Sequence, residues 1–455
     1  PLRTRHDKTE IVKTMKRKYG NNSGVAEKTW KSMIDGVEVS DIKLLGHPDT
    51  FDAHHSKLKS HITTSMIESE KQNDAYYSLV SEISLSLNKF HGWVKQNLII
   101  TYCSPKNVNS GLEKMDVFEY GVGQGGDIGR YLHARINFMT GIDIDYFGIY
   151  SGTSSATSRY QSYRKKQGVL GFTMKFAVCD GGALLTLKDQ HNAGIESTAE
   201  NNKNILEIFD NPEPRLYDAL SCQFVVHYFF KNDQTLANFM ANIKRFVKPS
   251  GYVFLTTFDD TILHEDLMKA NGQDTTHYVT KEGEKIVLYD YIKRYEGDTV
   301  QNITGQAIDV HLPVFNQGVY KVEYVVPKKL LIDKMAENDF NLVETDLFWN
   351  MWNKNKEFFD TAADAEHDQT RRFYMSVKAY YDENDPLNKM LYSTTRKNRF
   401  YVFQRNDNGE FNHKKNVSSY SANKSRNFKD NKPTSYQNDD KDKKYGSKSK
   451  KYSKK

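Results

Sequence analysis

Cysteine is nearly absent from this sequence. Three residues, Cys103, Cys179 and Cys222, are scattered through 455. An odd number spaced so widely builds neither a disulfide framework nor a four-ligand zinc site, so a reducing, intracellular setting is expected. Long apolar runs are missing as well. No stretch approaches the ~18 residues of a membrane span, and no charged-then-apolar leader opens the chain. Neither membrane insertion nor secretion is expected. Apolar residues are thin overall, at 38% of the chain with a mean hydropathy of −0.72. That is low for one compact globule, so part of the chain should be solvated, although the length allows two or three domains of ordinary size. An initiating methionine is also lacking: the text starts at Pro1 and reads as cut from something longer.

What is abundant is charge, unevenly placed. The net charge is +6, yet from Phe411 to Lys455 fourteen Lys/Arg face four Asp, a local +10 that leaves the remainder at −4. This tail has no Leu, Ile or Met. With nothing to bury, it is expected to be a disordered basic arm over 408–455 that attracts RNA through a sequence-independent phosphate interaction. The plainer alternative is a solubilising tail.

Ahead of residue 80 the text is polar and irregular. Leu79–Leu98 has helical apolar spacing. Then strands and helices alternate: strands at Asp116–Gly121, Phe138–Ile144, Thr173–Cys179, Tyr217–Phe224 and Tyr252–Thr257, helices from Asp127, over Phe147–Lys166 and over Asp233–Val247. Ala183–Arg215 reads as an insertion or long loop, and Lys248–Gly251 as a turn. Further strands are expected at Tyr320–Val326 and Phe400–Phe403, with a helix from Pro327, whose missing N–H is harmless in a first turn. This alternation predicts an α/β domain with a mostly parallel, twisted sheet flanked by helices.

The first strand runs into Glu119-Tyr120-Gly121-Val122-Gly123-Gln124-Gly125-Gly126-Asp127. Glycines let the backbone turn tightly and approach a ligand, while the next helix offers free N–H groups. Gly121, Gly123 and Gly126 satisfy G-x-G-x-x-G, and Asp143 ends the second strand where it could bind a ribose hydroxyl, so a dinucleotide site is one reading. Three details favour S-adenosylmethionine (AdoMet). Glu119 stands two residues before the first glycine, Asp180 ends the third strand, and carboxylates suit a sulfonium and an ammonium better than a pyrophosphate.

The fourth strand continues into Ser221-Cys222-Gln223-Phe224-Val225-Val226-His227-Tyr228. This closely resembles the S-C-Q-F-x-x-H-Y signature of eukaryotic and viral mRNA cap (guanine-N7) methyltransferases. Upstream, Phe90-His91-Gly92-Trp93-Val94-Lys95 resembles that family's F-N-N-W-I-K, Arg159-Tyr160 its R-Y pair, and Val322-Glu323-Tyr324 its late E-Y motif. The resemblance covers roughly residues 81–407 and implies the AdoMet-dependent methyltransferase (Rossmann-like) fold. It also implies roles. Lys95, Glu119, Gly121, Gly123, Asp143, Asp180, Gln223 and Tyr228 would hold AdoMet. His91, Gln124, Arg130, Arg159, His227 and Glu323 would line the cap, with His227, Tyr228 and Glu323 at the reacting centre.

Departures from the family pattern are local. Its Asn-Asn pair is His91-Gly92 here. Its loop lysine is Gln124, a lost positive charge that Arg130 could supply. Its last cap-contacting tyrosine aligns with Asn398, and Tyr401 is the nearest aromatic. Pro1-Leu2-Arg3-Thr4-Arg5-His6-Asp7-Lys8 resembles the R-x-R-x-D-K motif that closes the OB-fold of capping guanylyltransferases.

The expectation is therefore the methyltransferase part of a multifunctional capping enzyme of a large DNA virus: a guanylyltransferase remnant over 1–10, a linker over 11–80, the methyltransferase over 81–407, and the tail. Its partners would be the capped mRNA 5′ end and the guanylyltransferase domain of the same polypeptide. The resemblance leaves open a stimulatory subunit of the poxvirus kind. Its place would be the host cytoplasm, in a viral factory, or the virion. No Cys/His cluster suggests a catalytic metal. Two rivals remain: an AdoMet enzyme acting on a small molecule or protein, and a non-catalytic RNA-binding capping subunit.

Overall fold

The computed structural model describes residues 85–406, apart from stretches at 109–110, 152–153, 168–170, 280–282, 284, 313–319, 362–374, 376 and 379–384. The chain divides into two units, Pro1–Asn408 and Gly409–Lys455, and all described residues belong to the first. The segments expected over 1–10, 11–80 and 408–455 lie outside them.

Helix α1 (Leu85–Cys103) runs five residues past the expected end. Its buried Phe90, Val94 and Leu98 recur at helical spacing, beside Trp93 and Ile99. A hairpin of β1 (Lys106–Val108) and β2 (Gly111–Glu113) leads to β3 (Asp116–Tyr120), α2 (Ile128–Ala134) and β4 (Phe138–Asp143). The helix expected over Phe147–Lys166 is two helices, α3 (Tyr146–Tyr150) and α4 (Ala156–Gln167), because Ser151 adopts extended backbone between them. Strand β5 (Thr173–Val178) follows.

The supposed loop over Ala183–Arg215 contains helices α5 (Leu187–Asn192) and α6 (Ala199–Ile208). Thr186 and Thr198 cap them, each hydroxyl accepting the N–H three residues on. Next come β6 (Tyr217–Gln223), a 3₁₀ turn (Val226–Lys231), α7 (Asp233–Phe246), β7 (Val247–Phe258) and α8 (Asp260–Lys269). The expected turn at Lys248–Gly251 lies within β7, as an irregularity with Ser250 at φ 59°. Helix α7 buries Leu236, Phe239, Met240, Ile243 and Phe246, each worth roughly 1.5–3 kcal/mol when fully removed from water.

Strands β8 (Gln273–Val279), β9 (Lys285–Lys293), β10 (Ala307–His311) and β11 (Lys321–Tyr324) form a separate antiparallel sheet in the order β11-β10-β9-β8. The chain then returns through α9 (Lys328–Glu337), β12 (Phe340–Leu347), α10 (Phe348–Thr361), α11 (Pro386–Thr395) and β13 (Asn398–Arg405).

The main sheet has seven strands in the order β12-β13-β7-β6-β3-β4-β5. The run from β7 to β5 is parallel, and β13 inserts antiparallel between β12 and β7. Alternate residues feed two core layers: Val117, Met139 and Ala219 enter one, Phe118, Ile142 and Leu220 the other. Order reverses between β3 and β6, and open parallel sheets bind ligands at such a point, beyond the strands' carboxyl ends.

One buried cation ties the two sheets. Lys397 is fully buried, 3.0 Å from both Asp266 of α8 and Asp274 of β8. It also faces the Tyr289 and Tyr291 rings of β9 at 5.2 and 5.6 Å.

Candidate active site

The crevice at the β3/β6 reversal is built from the strand ends outward. After β3 the backbone turns at Gly121, Gly123 and Gly125, all at positive φ. A Cβ on Gly121 would lie 2.1 Å from Val225 Cγ2, so no other residue fits there. Gly121 N–H donates to Ile142 O, and Gly123 N–H donates to Asp143 Oδ2 at 2.8 Å. Asp143 Oδ1 accepts from Asp145 N–H at 2.9 Å. Burial raises the Asp143 carboxyl to about 6 despite these bonds.

At the next strand end Asp180 is held by a residue that motif reading missed. Gln190 of α5 accepts from Asp180 N–H at 2.8 Å and donates to Asp180 O and Leu184 O, both at 3.0 Å. The Asp180 side chain accepts from Gly182 N–H at 2.7 Å. The supposed insertion is thus the brace of this loop.

Asp127 is the other missed residue, although it closes the glycine motif. Lys95 of α1 donates to its Oδ2 at 2.7 Å, and Arg130 pairs with its Oδ1. Burial pushes Asp127 up, but these two cations hold it below the usual carboxylate range. Arg130 also donates to Gly92 O at 3.0 Å and Gly126 O at 3.1 Å, so its guanidinium is engaged in joining α1 to the loop. A Cβ at position 92 would meet Arg130 Nη2 at 2.5 Å. The glycine of His91-Gly92 therefore makes room for this arginine.

Glu119 is buried beside this array, its Oε2 without a hydrogen-bond partner. Burial, then the Asp127 charge, raises its carboxyl well above the ordinary range. Across the strand pair, Ser221 Oγ and both amide atoms of Gln223 also lack partners. Buried polar groups are seldom left so. Orphaned atoms on two adjacent strand ends, over a glycine turn with no room for a side chain at Gly121 or Gly125, fit a polar, cationic cofactor such as AdoMet.

Beyond β6, Phe224 takes φ 59°, unusual for a large side chain. Its N–H donates to Thr256, and its ring stacks on His91 at 5.2 Å and 19°. His91 also meets Phe348 edge-on, with Nε2 3.3 Å from Thr395 Oγ1. Burial, then Lys95, pushes its imidazole down to about 3.

The 3₁₀ turn brings His227 against Tyr228, ring centres 4.3 Å apart. His227 Nε2 lies 3.4 Å from Oε2 of Glu323 on β11, outside hydrogen-bond geometry. Burial pushes this imidazole down to about 3, so it is neutral. Tyr228 is half-buried, Glu323 almost wholly buried.

Gln124 is half-buried in the loop, and Arg159 is exposed on α4, donating to Ser154 O at 3.0 Å. Asn398 is buried, its amide donating to Thr394 O, and Tyr401 lies in the core layer with Phe403.

Fold and crevice together define an AdoMet-dependent methyltransferase. More particularly, the mRNA (guanine-N(7))-methyltransferase domain matches residues 52–385, and the chain belongs to that family. A "Probable mRNA-capping enzyme" of Acanthamoeba polyphaga mimivirus is 30% identical over 418 residues, covering 89% of this chain and 34% of the relative. An mRNA-capping enzyme of African swine fever virus (isolate Tick/South Africa/Pretoriuskop Pr4/1996) is 26% identical, covering 61% and 30%. The mRNA cap guanine-N(7) methyltransferase 1 of Oryza sativa subsp. japonica is 23% identical over 42% of this chain and 43% of its own length. The chain thus spans about a third of the viral relatives it matches. Among the described residues, no helix is long and apolar enough to cross a membrane.

Proposed function

We propose that this chain transfers a methyl group to N7 of the terminal guanosine of capped mRNA. What carries the reading is the meeting of Glu323 with His227, 3.4 Å apart and buried, at the end of the strand that also bears Gln223. A base edge and a cofactor would share that end.

Bound AdoMet supplies an electrophilic methyl on a sulfonium. Asp143 and Asp180 would accept from its ribose and adenine donors. Asp127, Glu119 and Gln223 would meet the polar atoms of its methionine part, with Lys95 steering through Asp127. No residue need remove a proton, because guanine N7 offers a free lone pair at neutral pH. The chain's part is alignment, for which effective molarities of ~10⁵–10⁸ M are available. Glu323 would accept from guanine N1–H and N2–H. As N7 gains the methyl the ring becomes cationic, so that carboxylate is favoured more in the transition state than before it. Neutral His227, with Tyr228, would hold the base edge without opposing that charge.

The test is incubation of the full chain with GpppN-ended RNA and labelled AdoMet, followed by nuclease digestion and chromatography of the cap. Label in 7-methylguanosine is expected. AdoMet binding with label elsewhere, or with none transferred, overturns the acceptor assignment.

A further inference from the structure

From Tyr146 to Cys179 the sequence holds five Lys/Arg and no Asp or Glu. Helix α4 occupies the middle of this stretch. Its inner side is anchored: Ala156 and Tyr160 are buried, and Tyr160 Oη accepts from Met174 N–H at 3.2 Å. Arg159, Arg164 and Lys165 are exposed around the helix, Arg164 on the Tyr160 side. Among the described residues none of the three has an acidic partner.

Other cation-bearing segments behave differently. Lys203 pairs with Glu207, which also takes Lys175 from the end of this stretch, while Lys329 pairs with Asp333 and Lys334 with Glu337. Like charges concentrated without counter-charge cost stability through self-repulsion. Among the described residues no acid offsets that cost for Arg159, Arg164 and Lys165.

The patch also has an address. A Cβ on Gly125 would lie 3.0 Å from Ala156 Cα, so α4 starts against the glycine loop. At a helical rise of ~1.5 Å per residue, Arg164 and Lys165 stand about 8–9 Å further along the axis than Arg159. Arg164 lies over the Tyr160 ring at 5.8 Å, which steadies it while leaving its donors outward.

We propose that α4 is a phosphate-binding track for the RNA chain that follows the cap, with Arg164 and Lys165 continuing outward from Arg159. The proposal rests on the cap-methylation reading above and extends it from the cap to the nucleotides beyond. Recognition is electrostatic and indifferent to base identity. It acts on capture of the substrate and leaves methyl transfer alone.

The experiment compares the full wild-type chain with the R164Q/K165Q variant on two acceptors, the dinucleotide GpppA and a GpppA-capped RNA of about ten nucleotides. Both changes are at exposed positions, and unchanged AdoMet affinity would report an intact site. For capped RNA, KM is expected to rise about three- to thirtyfold with kcat unchanged. The slope of log KM against log salt should flatten by about 1.4, two single-strand phosphate contacts. For GpppA, neither kcat nor KM should move. Equal KM for capped RNA in both proteins overturns the track while leaving cap methylation standing. A loss shared by GpppA and capped RNA also overturns it, placing the two cations at the cap itself. Failure of the wild type on both acceptors overturns the track and the function it rests on.

Discussion

Replacing Glu323 by glutamine separates recognition of the guanine from binding of the cofactor. The side chain is 2% exposed, so a neutral isostere keeps the packing while removing one charge. His227 is its close neighbour at 3.4 Å and is neutral, so it adds no positive charge of its own. A hydrogen bond to a charged group contributes about 1.5–3 kcal/mol. Glutamine keeps one acceptor but turns an amide donor toward the second N–H, so the loss is at least one such bond. The expected fall in kcat/KM for capped RNA is about ten- to a thousandfold. AdoMet affinity, measured by calorimetry, should stay near wild type, because Glu323 is on the antiparallel sheet and the cofactor residues are not. The sharper assay replaces the cap guanine by inosine, which lacks the 2-amino donor. That change should harm the wild type more than the variant. Equal sensitivity in both proteins would refute the reasoning and pass the role to Tyr228 or another residue.

Other outcomes follow from the same geometry. Asp143→Ala and Asp180→Ala should each weaken AdoMet binding by about 1–3 kcal/mol, and unchanged calorimetric affinity in both would mean the strand ends face something else. With its pKa raised to about 6, Asp143 stabilises the free protein at low pH and loses that contribution as pH rises through 6. Binding that needs the carboxylate runs the other way: AdoMet affinity should be flat above about pH 7 and fall up to tenfold per unit below 6, an inflection that Asp143→Asn should abolish. Lys397→Met leaves Asp274 without its cation, while Asp266 keeps Arg396, and thermal unfolding should show a loss of about 3–5 kcal/mol. Removing Asn416–Lys455 should spare AdoMet affinity but weaken long-RNA binding and flatten its salt dependence; identical slopes would make the arm a solubility device.

The parallel core was legible because its signals are local. A buried strand such as β3 is short and centred on apolar and aromatic residues, and the glycines and acids that end β3 and β4 sit within a few residues of the strand. Of the antiparallel sheet only β11 was legible, inside the strand expected at Tyr320–Val326. Strand β8 is Gln-Asp-Thr-Thr-His-Tyr-Val, polar and only half-buried, with no periodicity to announce it. Helices α5 and α6 are short and rich in Asn, Asp and Lys, so apolar spacing is weak; Thr186 three residues before Asp189 was the readable sign. Motif order gave Lys95, Asp143, Asp180, His227 and Glu323 together. It could not give the partnership of Lys95 with Asp127, which joins positions 32 apart, or the brace from Gln190. Those depend on how elements pack, and the residues involved look ordinary in isolation.

Strand β11 carries its polarity inside out. Glu323 is 2% exposed while its neighbour Val322 is 51% exposed, on a strand that among the described residues pairs only with β10. In a half-buried strand a one-residue slip exchanges the two faces. Usually that exchange is ruinous, because it exposes the apolar set. Here it would bury a valine and hydrate a carboxylate, so the hydrophobic effect favours the wrong alignment. The correct one must be imposed from outside the strand. Buried Val325 and Val326 follow directly, and Val325 N–H donates to Gln306 O at 2.9 Å. A population in which that latch failed would be folded, would bind AdoMet, and would be blind to guanine. The arrangement has a second effect: an inward-pointing charge on an edge strand discourages another chain from pairing with it. The same glutamate that would read the cap thereby keeps the open edge of its sheet from recruiting copies of itself.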